Sequence, residues 1–278
     1  MNSSIFRDAT VVLHGQRFHY TDWGELEAPV IVMLHGITGH ARTWDDEARA
    51  LAATHRVLVL DQRGHGDSDP APDGDYTIDA LAGDFAAFAD ALDLSRFGIV
   101  ALSLGGRVAI AYAGRFSARV TRLVVVDIGP DIASAGRQRV GMMMAGAPER
   151  FTSVDEAIGY VRAANPRYTD TALRHRVTHG LRRLPDGGFT WKYDRAIRES
   201  IRAGRWKDPI DLWPAWAAIA CPTLVVRGAE SDILSIDIAK RMIETQPHAR
   251  LVEVPGAGHT VPGDQPAAFL SLVREFLR

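Results

Sequence analysis

The sequence predicts an α/β chain, built on a mostly parallel sheet with helices on both faces. Three observations predict it. Short β-branched, apolar runs alternate with longer segments of helical period along most of the chain. Some of the short runs, Val30–Leu34 above all, are apolar at every position, as a strand buried on both faces must be. Alternation of strand and helix leads to parallel strands joined by crossover helices.

Each element has its own signal. Val11–Leu13 and Arg17–Thr21 flank His14-Gly15-Gln16 and read as a hairpin. Val30–Leu34 is the first fully buried strand, followed by a helical pattern over Thr43–Ala53 and a strand at Arg56–Leu60. Ile78–Leu92 carries Leu81, Phe85, Phe88 and Leu92 at helical spacing. Gly98–Leu102 is a strand, Leu104–Phe116 a helix and Arg122–Val126 a strand. After a long interruption come strand Thr223–Arg227, helix Ile236–Glu244, strand Arg250–Val254 and helix Pro266–Leu277.

The interruption defines the domain organisation. Residues 131–213 are too many for a loop and too poor in strand signals to extend the sheet. They read as a helical cap inserted into a core made of 1–130 and 214–278. The cap holds 15 Lys and Arg against 10 Asp and Glu, whereas the rest of the chain is net acidic. Solvated, arginine-rich helix faces account for this, and the alternative is a positive lid that attracts anionic substrates. Met142, Met143 and Met144, with Trp191, Trp206 and Trp213, read as the packing of a small helical layer or as an apolar pocket lining.

Composition narrows the function. With 278 residues, 46% hydrophobic and 24% charged, the chain has the profile of a globular protein with a sizeable core. A net charge of −2 argues against nucleic acid as a partner. Cys221 is the single cysteine, so neither an intrachain disulfide nor a thiolate metal cluster can form, and it reads as a small buried hydrophobe. The first residues, Met1–Ala9, have no apolar segment of a secretory signal, and no stretch approaches the length of a membrane span. A cytoplasmic protein without membrane contact is expected.

The strongest chemical signal is Ile99-Val100-Ala101-Leu102-Ser103-Leu104-Gly105-Gly106. A buried strand runs into a serine and then straight into a helix. Such a serine is held on a tight, strained turn with its hydroxyl above the strand ends, and the helix N-terminus favours negative charge beside it. A serine hydroxyl needs a base to act as a nucleophile. His259, in the loop Pro255-Gly256-Ala257-Gly258-His259 directly after a strand, is the candidate. The base needs a carboxylate to fix its tautomer. Asp127, ending the strand Val124-Val125-Val126, and Asp232, after Arg227-Gly228-Ala229-Glu230-Ser231, both qualify. An oxyanion needs two backbone donors, expected from Leu104 and from Ile37 in His35-Gly36-Ile37-Thr38-Gly39. Asp61-Gln62-Arg63-Gly64-His65-Gly66-Asp67-Ser68 reads as a scaffolding turn beside this site. Arg107 reads as a partner in an ion pair on its helix, with a substrate carboxylate as the alternative. His175 and His179 share a helix face, but the glutamate of a zinc-protease motif is missing, so no metal is expected.

These segments resemble the markers of the α/β-hydrolase superfamily: His35-Gly36, Asp61-Gln62-Arg63-Gly64-His65-Gly66, Ser103-Leu104-Gly105-Gly106 and Gly256-Ala257-Gly258-His259, in the family's order. Ala101 stands where the usual pattern has glycine. The resemblance implies an α/β-hydrolase fold with a mostly parallel eight-stranded sheet and an inserted cap. It also implies a Ser–His–Asp mechanism through an acyl-enzyme, with no cofactor. Most members carry the acid three residues after the glycine that ends the seventh strand, and that position here is Ser231. A subset carries it after the sixth strand in a context similar to Val126-Asp127-Ile128-Gly129-Pro130, which favours Asp127 over Asp232. His35-Gly36-Ile37-Thr38, Arg107 and Arg227-Gly228-x-x-Ser231 are similar to members that cleave acidic amides.

The expected activity is hydrolysis of a small-molecule carboxylic ester. The same residues would serve an amide, thioester, lactone or activated C–C bond. A serine at position 103 argues against members that use an aspartate nucleophile. A ligand receptor on a hydrolase scaffold is the alternative from another class.

Overall fold

The computed structural model describes residues 6–204 and 210–278. Its main sheet has eight strands: β1 (Phe6–Leu13), β2 (Gln16–Trp23), β3 (Val30–Leu34), β4 (Arg56–Leu60), β5 (Phe97–Leu102), β6 (Val120–Val126), and, beyond a two-stranded hairpin of β7 (Leu181–Arg183) and β8 (Phe189–Trp191), β9 (Thr223–Gly228) and β10 (Ala249–Val254). Their spatial order is β1-β2-β4-β3-β5-β6-β9-β10. The pairs β1–β2 and β2–β4 are antiparallel, and every pair from β4 to β10 is parallel.

The first hairpin is longer than its apolar runs suggest. Its turn is His14-Gly15, with φ of +52° and +78°. Two successive positive φ values suit the right-handed twist of a two-residue hairpin, and glycine adopts one without strain. The helical pattern over Thr43–Ala53 resolves into a 3₁₀ turn, Ala41–Trp44, and a short helix α1 (Asp45–Leu51).

The helices α2 (Ile78–Ala91) and α3 (Leu104–Arg115) follow β4 and β5. Alternate strand residues face opposite sides. Val32, Leu34, Ile99 and Ala101 join Phe85, Phe88 and Tyr112 of α2 and α3 in one core cluster. Ile31, Met33, Val100 and Leu102 join Trp44 and Phe269 in the other. All eight of these strand residues are buried, so the β3 and β5 runs have no solvent face. Cys221 is buried in the first cluster, as a small hydrophobe should be.

After β6 the chain leaves the sheet for α4 (Ser134–Gly146), α5 (Val154–Ala164), α6 (Asp170–Gly180), the β7–β8 hairpin and α7 (Arg195–Arg202). These elements share a third cluster that includes Met144, Phe151, Leu173, Trp191 and Ile197. The hairpin has no counterpart in the helical reading of this segment. Its strands are three residues each, too short for an alternating pattern to register. The chain returns through α8 (Trp213–Ala217), which packs on α3: a Cβ on Gly114 would lie 2.6 Å from the Ala215 carbonyl oxygen. Then come β9, α9 (Ile236–Thr245), β10, α10 (Val261–Asp264) and α11 (Pro266–Leu277). Trp206 lies outside the described residues. Among the described residues no helix is long and apolar enough to cross a membrane.

Candidate active site

The site lies where β3, β5, β6 and the loop after β10 end on the same edge of the sheet. Ser103 links β5 to α3 with φ +54° and ψ −118°, a conformation that costs energy for any residue with a Cβ. Its neighbours are small where backbones meet. A Cβ on Gly105 would stand 2.7 Å from the Leu34 carbonyl, so glycine lets the start of α3 rest on the end of β3. Ala101 is fully buried between strand and helix, and the structure accommodates its methyl group there.

Ser103 Oγ is 2.9 Å from His259 Nε2, and His259 Nδ1 is 2.8 Å from Asp127 Oδ2. His259, more than a hundred positions from both Ser103 and Asp127, thus joins them in one hydrogen-bonded chain. The carboxylate can only accept, so Nδ1 carries the proton and the Nε2 lone pair faces the serine hydroxyl. Asp127 is fully buried and has φ +49°, a second strained position at a strand end. Its charge is matched by donors: Gly228 N–H at 2.9 Å on Oδ1, and the Ser231 hydroxyl on Oδ2. Ser231 therefore serves the carboxylate from the position where the family resemblance would have placed an acid. Asp232, the competing candidate, turns away. It binds Arg139 of α4 through two hydrogen bonds of 2.6 and 2.8 Å, and these hold its carboxyl below the usual range.

The loop bearing His259 has its own anchor, which the sequence reading missed. Asp264 accepts from Gly258 N–H at 2.8 Å. Burial raises its carboxyl above the usual value. The signal was a carboxylate five residues after the histidine, at the end of a one-turn helix.

Leu104 is the first residue of α3, so its N–H has no partner within the helix. Ile37 follows Gly36, whose missing Cβ leaves room for Ser103: one there would be 3.2 Å from Ser103 Cβ. Among the described residues neither N–H is taken up by a backbone hydrogen bond. Ile37 is held on its carbonyl side by His65 Nε2, 2.7 Å from the Ile37 carbonyl oxygen. Gln62 donates its side-chain N–H to the His35 carbonyl at 2.8 Å, and its backbone N–H to His35 Nε2 at 3.1 Å. His35 must then donate from Nδ1 to the Gly36 carbonyl, 2.9 Å away, as a neutral ring, and burial lowers its pKa to about 3.

The 61–68 turn is a scaffold in this geometry. Asp61 accepts from Asp67 N–H at 2.9 Å and pairs with His19 at 2.6 Å. Burial opposes charge on both. The mutual hydrogen bond and attraction win, moving His19 up to about 9 and Asp61 down to about 2. Arg63 pairs with buried Asp84, with one hydrogen bond of 2.7 Å. His19, Asp61 and Asp67 form the one metal-type grouping found among the described residues. His19 there is an imidazolium between two carboxylates, Asp61 and Asp8, and offers no lone pair to a metal. His175 pairs with Asp45 at 3.1 Å and faces the ring of His179. Arg107 is buried and donates to the Pro130 carbonyl at 2.8 Å, behind the loop that carries Asp127.

Ser103 and His259 open onto a cavity of about 550 Å³ between the sheet edge and the segment inserted after β6. Val140, Met143, Met144, Tyr160, Trp191 and Tyr193 line its far wall. Met143 and Met144 thus both pack the inserted layer and face the cavity, whereas Met142 is exposed.

Sheet order, strained serine turn and cavity together define a hydrolase of one fold family. Residues 29–266 match the alpha/beta hydrolase fold family, and the chain belongs to it. It is 30% identical over 267 residues to a 3-hydroxybutyrate-oligomer hydrolase of Cupriavidus necator, covering 90% of this chain and 89% of that one. It is 31% identical over 261 residues to an esterase of Mycobacterium tuberculosis, covering 92% and 84%. The crystal structure of E-2-(acetamidomethylene)succinate hydrolase is similar with a TM-score of 0.89 at 26% identity, covering 98% of this chain and 99% of that one. Relatives of this hydrolase family therefore include proteins named for ester and for acidic amide substrates.

Proposed function

We propose that the chain is a serine hydrolase that cleaves carboxylic esters through an acyl-enzyme. The observation that carries this reading is the unbroken Ser103–His259–Asp127 hydrogen-bond chain at the mouth of the cavity. Ser103 Oγ attacks the ester carbonyl carbon while His259 Nε2 takes the hydroxyl proton. Asp127, already hydrogen-bonded to Nδ1, stabilises the imidazolium so formed. The N–H groups of Ile37 and Leu104 receive the negative charge on the carbonyl oxygen. The tetrahedral centre collapses with loss of the alkoxide, which takes the proton from His259. Water then attacks the acyl-serine by the same route, releasing the acid and restoring Ser103.

In this reading 1–130 and 214–278 are the catalytic core, and 131–213 caps it and sets the shape of the acyl and alcohol sites. The test is labelling with a fluorophosphonate, together with release of 4-nitrophenol from short-chain 4-nitrophenyl esters. Labelling lost in Ser103→Ala, with ester turnover in the parent chain, is the expected result. A chain that neither labels nor turns over any ester overturns the reading and leaves a ligand receptor on this scaffold.

A second reading keeps the triad and changes the bond. Likeness to E-2-(acetamidomethylene)succinate hydrolase favours an amide. Ethyl esters and primary amides of one acyl group, compared by kcat/KM, decide between the two.

A further inference from the structure

Four arginines line the cavity: Arg42, Arg139, Arg167 and Arg176. Three are committed to carboxylates. Arg42 holds Asp45 with hydrogen bonds of 2.8 and 3.0 Å, Arg139 holds Asp232, and Arg167 is paired with Glu230. Arg176, on α6, has no acidic partner among the described residues. Among the described residues its guanidinium makes one hydrogen bond, from Nη2 to Thr38 Oγ1 at 2.9 Å. A guanidinium has five N–H donors, so four remain for a ligand.

Arg176 is also held rigidly where it stands. His40 Nε2 lies 2.9 Å from the Arg176 carbonyl oxygen. His40 is fully buried, burial lowers its pKa to about 4, and Nδ1 has no partner. Those facts agree on one tautomer: a neutral ring that donates from Nε2 to Arg176. Backbone and side chain of Arg176 are thus pinned at both ends to the loop 36–41, which also carries Ile37. The guanidinium is tied to the residue next to the proposed oxyanion donor.

We propose that Arg176 is a specificity residue that binds a carboxylate of the substrate, so that the preferred substrates are anionic esters. This rests on the ester-hydrolase reading above and names its substrate class. A guanidinium tied to Thr38 in the cavity that Ser103 lines loses little freedom on binding, and a charge-assisted hydrogen bond in a half-buried cavity exceeds a neutral one. Part of the charge surplus of the inserted segment is met by acids of the core, through Arg139–Asp232, Arg167–Glu230 and Lys192–Asp67. Of the arginines that line the cavity, Arg176 is the one without an acidic partner among the described residues, and the attraction is placed there.

Two anionic esters and their neutral isosteres test it. Ethyl hydrogen glutarate carries the carboxylate on the acyl side, against ethyl 5-methylhexanoate. 3-Acetoxypropanoate carries it on the alcohol side, against 3-methylbutyl acetate. Acid release is followed in a pH-stat. At least one anionic ester should exceed its isostere in kcat/KM by about tenfold or more. Arg176→Gln should cost that anionic ester about tenfold more than its isostere, mainly through KM, and Arg176→Lys should recover part of the loss. Isosteres hydrolysed as well as the anionic esters, or an Arg176→Gln loss equal on both, would overturn the proposal. A chain that labels with fluorophosphonate but lacks the anionic preference sinks this inference alone. One that neither labels nor hydrolyses any of the four esters sinks the parent reading.

Discussion

The α/β core and the segment inserted after β6 are held together in different ways. In the core, strands such as β3 and β5 are buried on both faces, and large side chains such as Trp44, Phe88 and Tyr112 fill both layers. Buried charges of the core, such as Asp61 with His19 and Arg63 with Asp84, are paired. The inserted segment has a smaller cluster, which also takes in Ala71 and Tyr76 of the core, and it meets the core through polar links as well. Arg139–Asp232, Arg167–Glu230, His175–Asp45, Lys192–Asp67 and Tyr76–Asp194 all cross the boundary. Close packing fixes positions within fractions of an ångström, whereas exposed pairs cost little to break. The difference teaches where reaction and selectivity can reside. Ser103 and Asp127 sit on strand ends of the core and His259 on the loop after β10, whereas the cavity wall that faces them is largely the inserted segment.

The largest expected effect tests the rigid side. Ser103→Ala should lower kcat by about 10⁴–10⁶ with an unchanged far-ultraviolet spectrum. A loss below about a hundredfold would move the chemistry elsewhere.

The next effect separates the two aspartates. Asp127→Asn should lower kcat by about 10⁴, because the amide favours the wrong imidazole tautomer. Asp232→Asn, which loosens only the link to Arg139, should cost less than about tenfold. Steady-state kinetics of both variants give the answer, and reversal of the order would exchange their roles.

A third effect is thermodynamic. Glu47, at the cavity's edge on α1, is almost fully buried, and burial raises its carboxyl from 4.5 to about 7. The folded pKa lies above the unfolded one, so the unfolded chain ionises first as pH rises. Stability should therefore fall between pH 4.5 and about 7 and then level off, by about 3 kcal/mol from this residue. Buried His35 and His40, with lowered pKa values, move stability the other way up to about pH 6.5 in both proteins, so the reading is a difference. In urea unfolding from pH 5 to pH 8 the parent chain should lose about 2–3 kcal/mol relative to Glu47→Gln, and an equal change in both proteins would remove Glu47 as the cause.

The smallest effect tests the boundary. Arg139→Gln breaks a half-exposed pair and should change global stability by less than about 1 kcal/mol. A larger loss in thermal unfolding would show that the inserted segment is bound to the core as firmly as the sheet to its helices.

The sheet and its helices were legible because a strand buried on both faces must be apolar throughout, and a helix on a sheet must repeat its apolar side. Val30–Leu34, Arg56–Leu60 and Ile78–Leu92 satisfy those conditions within a few residues. The strand–serine–helix arrangement at Ser103 was legible for a related reason: Gly105 and Gly106 mark where backbones must approach. The β7–β8 hairpin was not legible, because three-residue strands carry no period. The 61–68 turn was legible as a scaffold, but its bond from His65 to Ile37 was not, because hydrogen bonds between loops leave no spacing rule; Asp264 on Gly258 left only a carboxylate six residues along the chain.

By itself, then, the sequence determined the layers of the core and the position of a strained serine at a strand end, since burial and backbone clearance act on neighbouring residues. It named two carboxylates that chain order could not separate. Only the tertiary structure decided that Asp127 reaches His259 while Asp232 binds Arg139, and that Arg176 alone among the four cavity arginines keeps its charge uncommitted. Both outcomes depend on distances between segments more than a hundred residues apart or on different elements, and those distances are set by packing rather than by order along the chain.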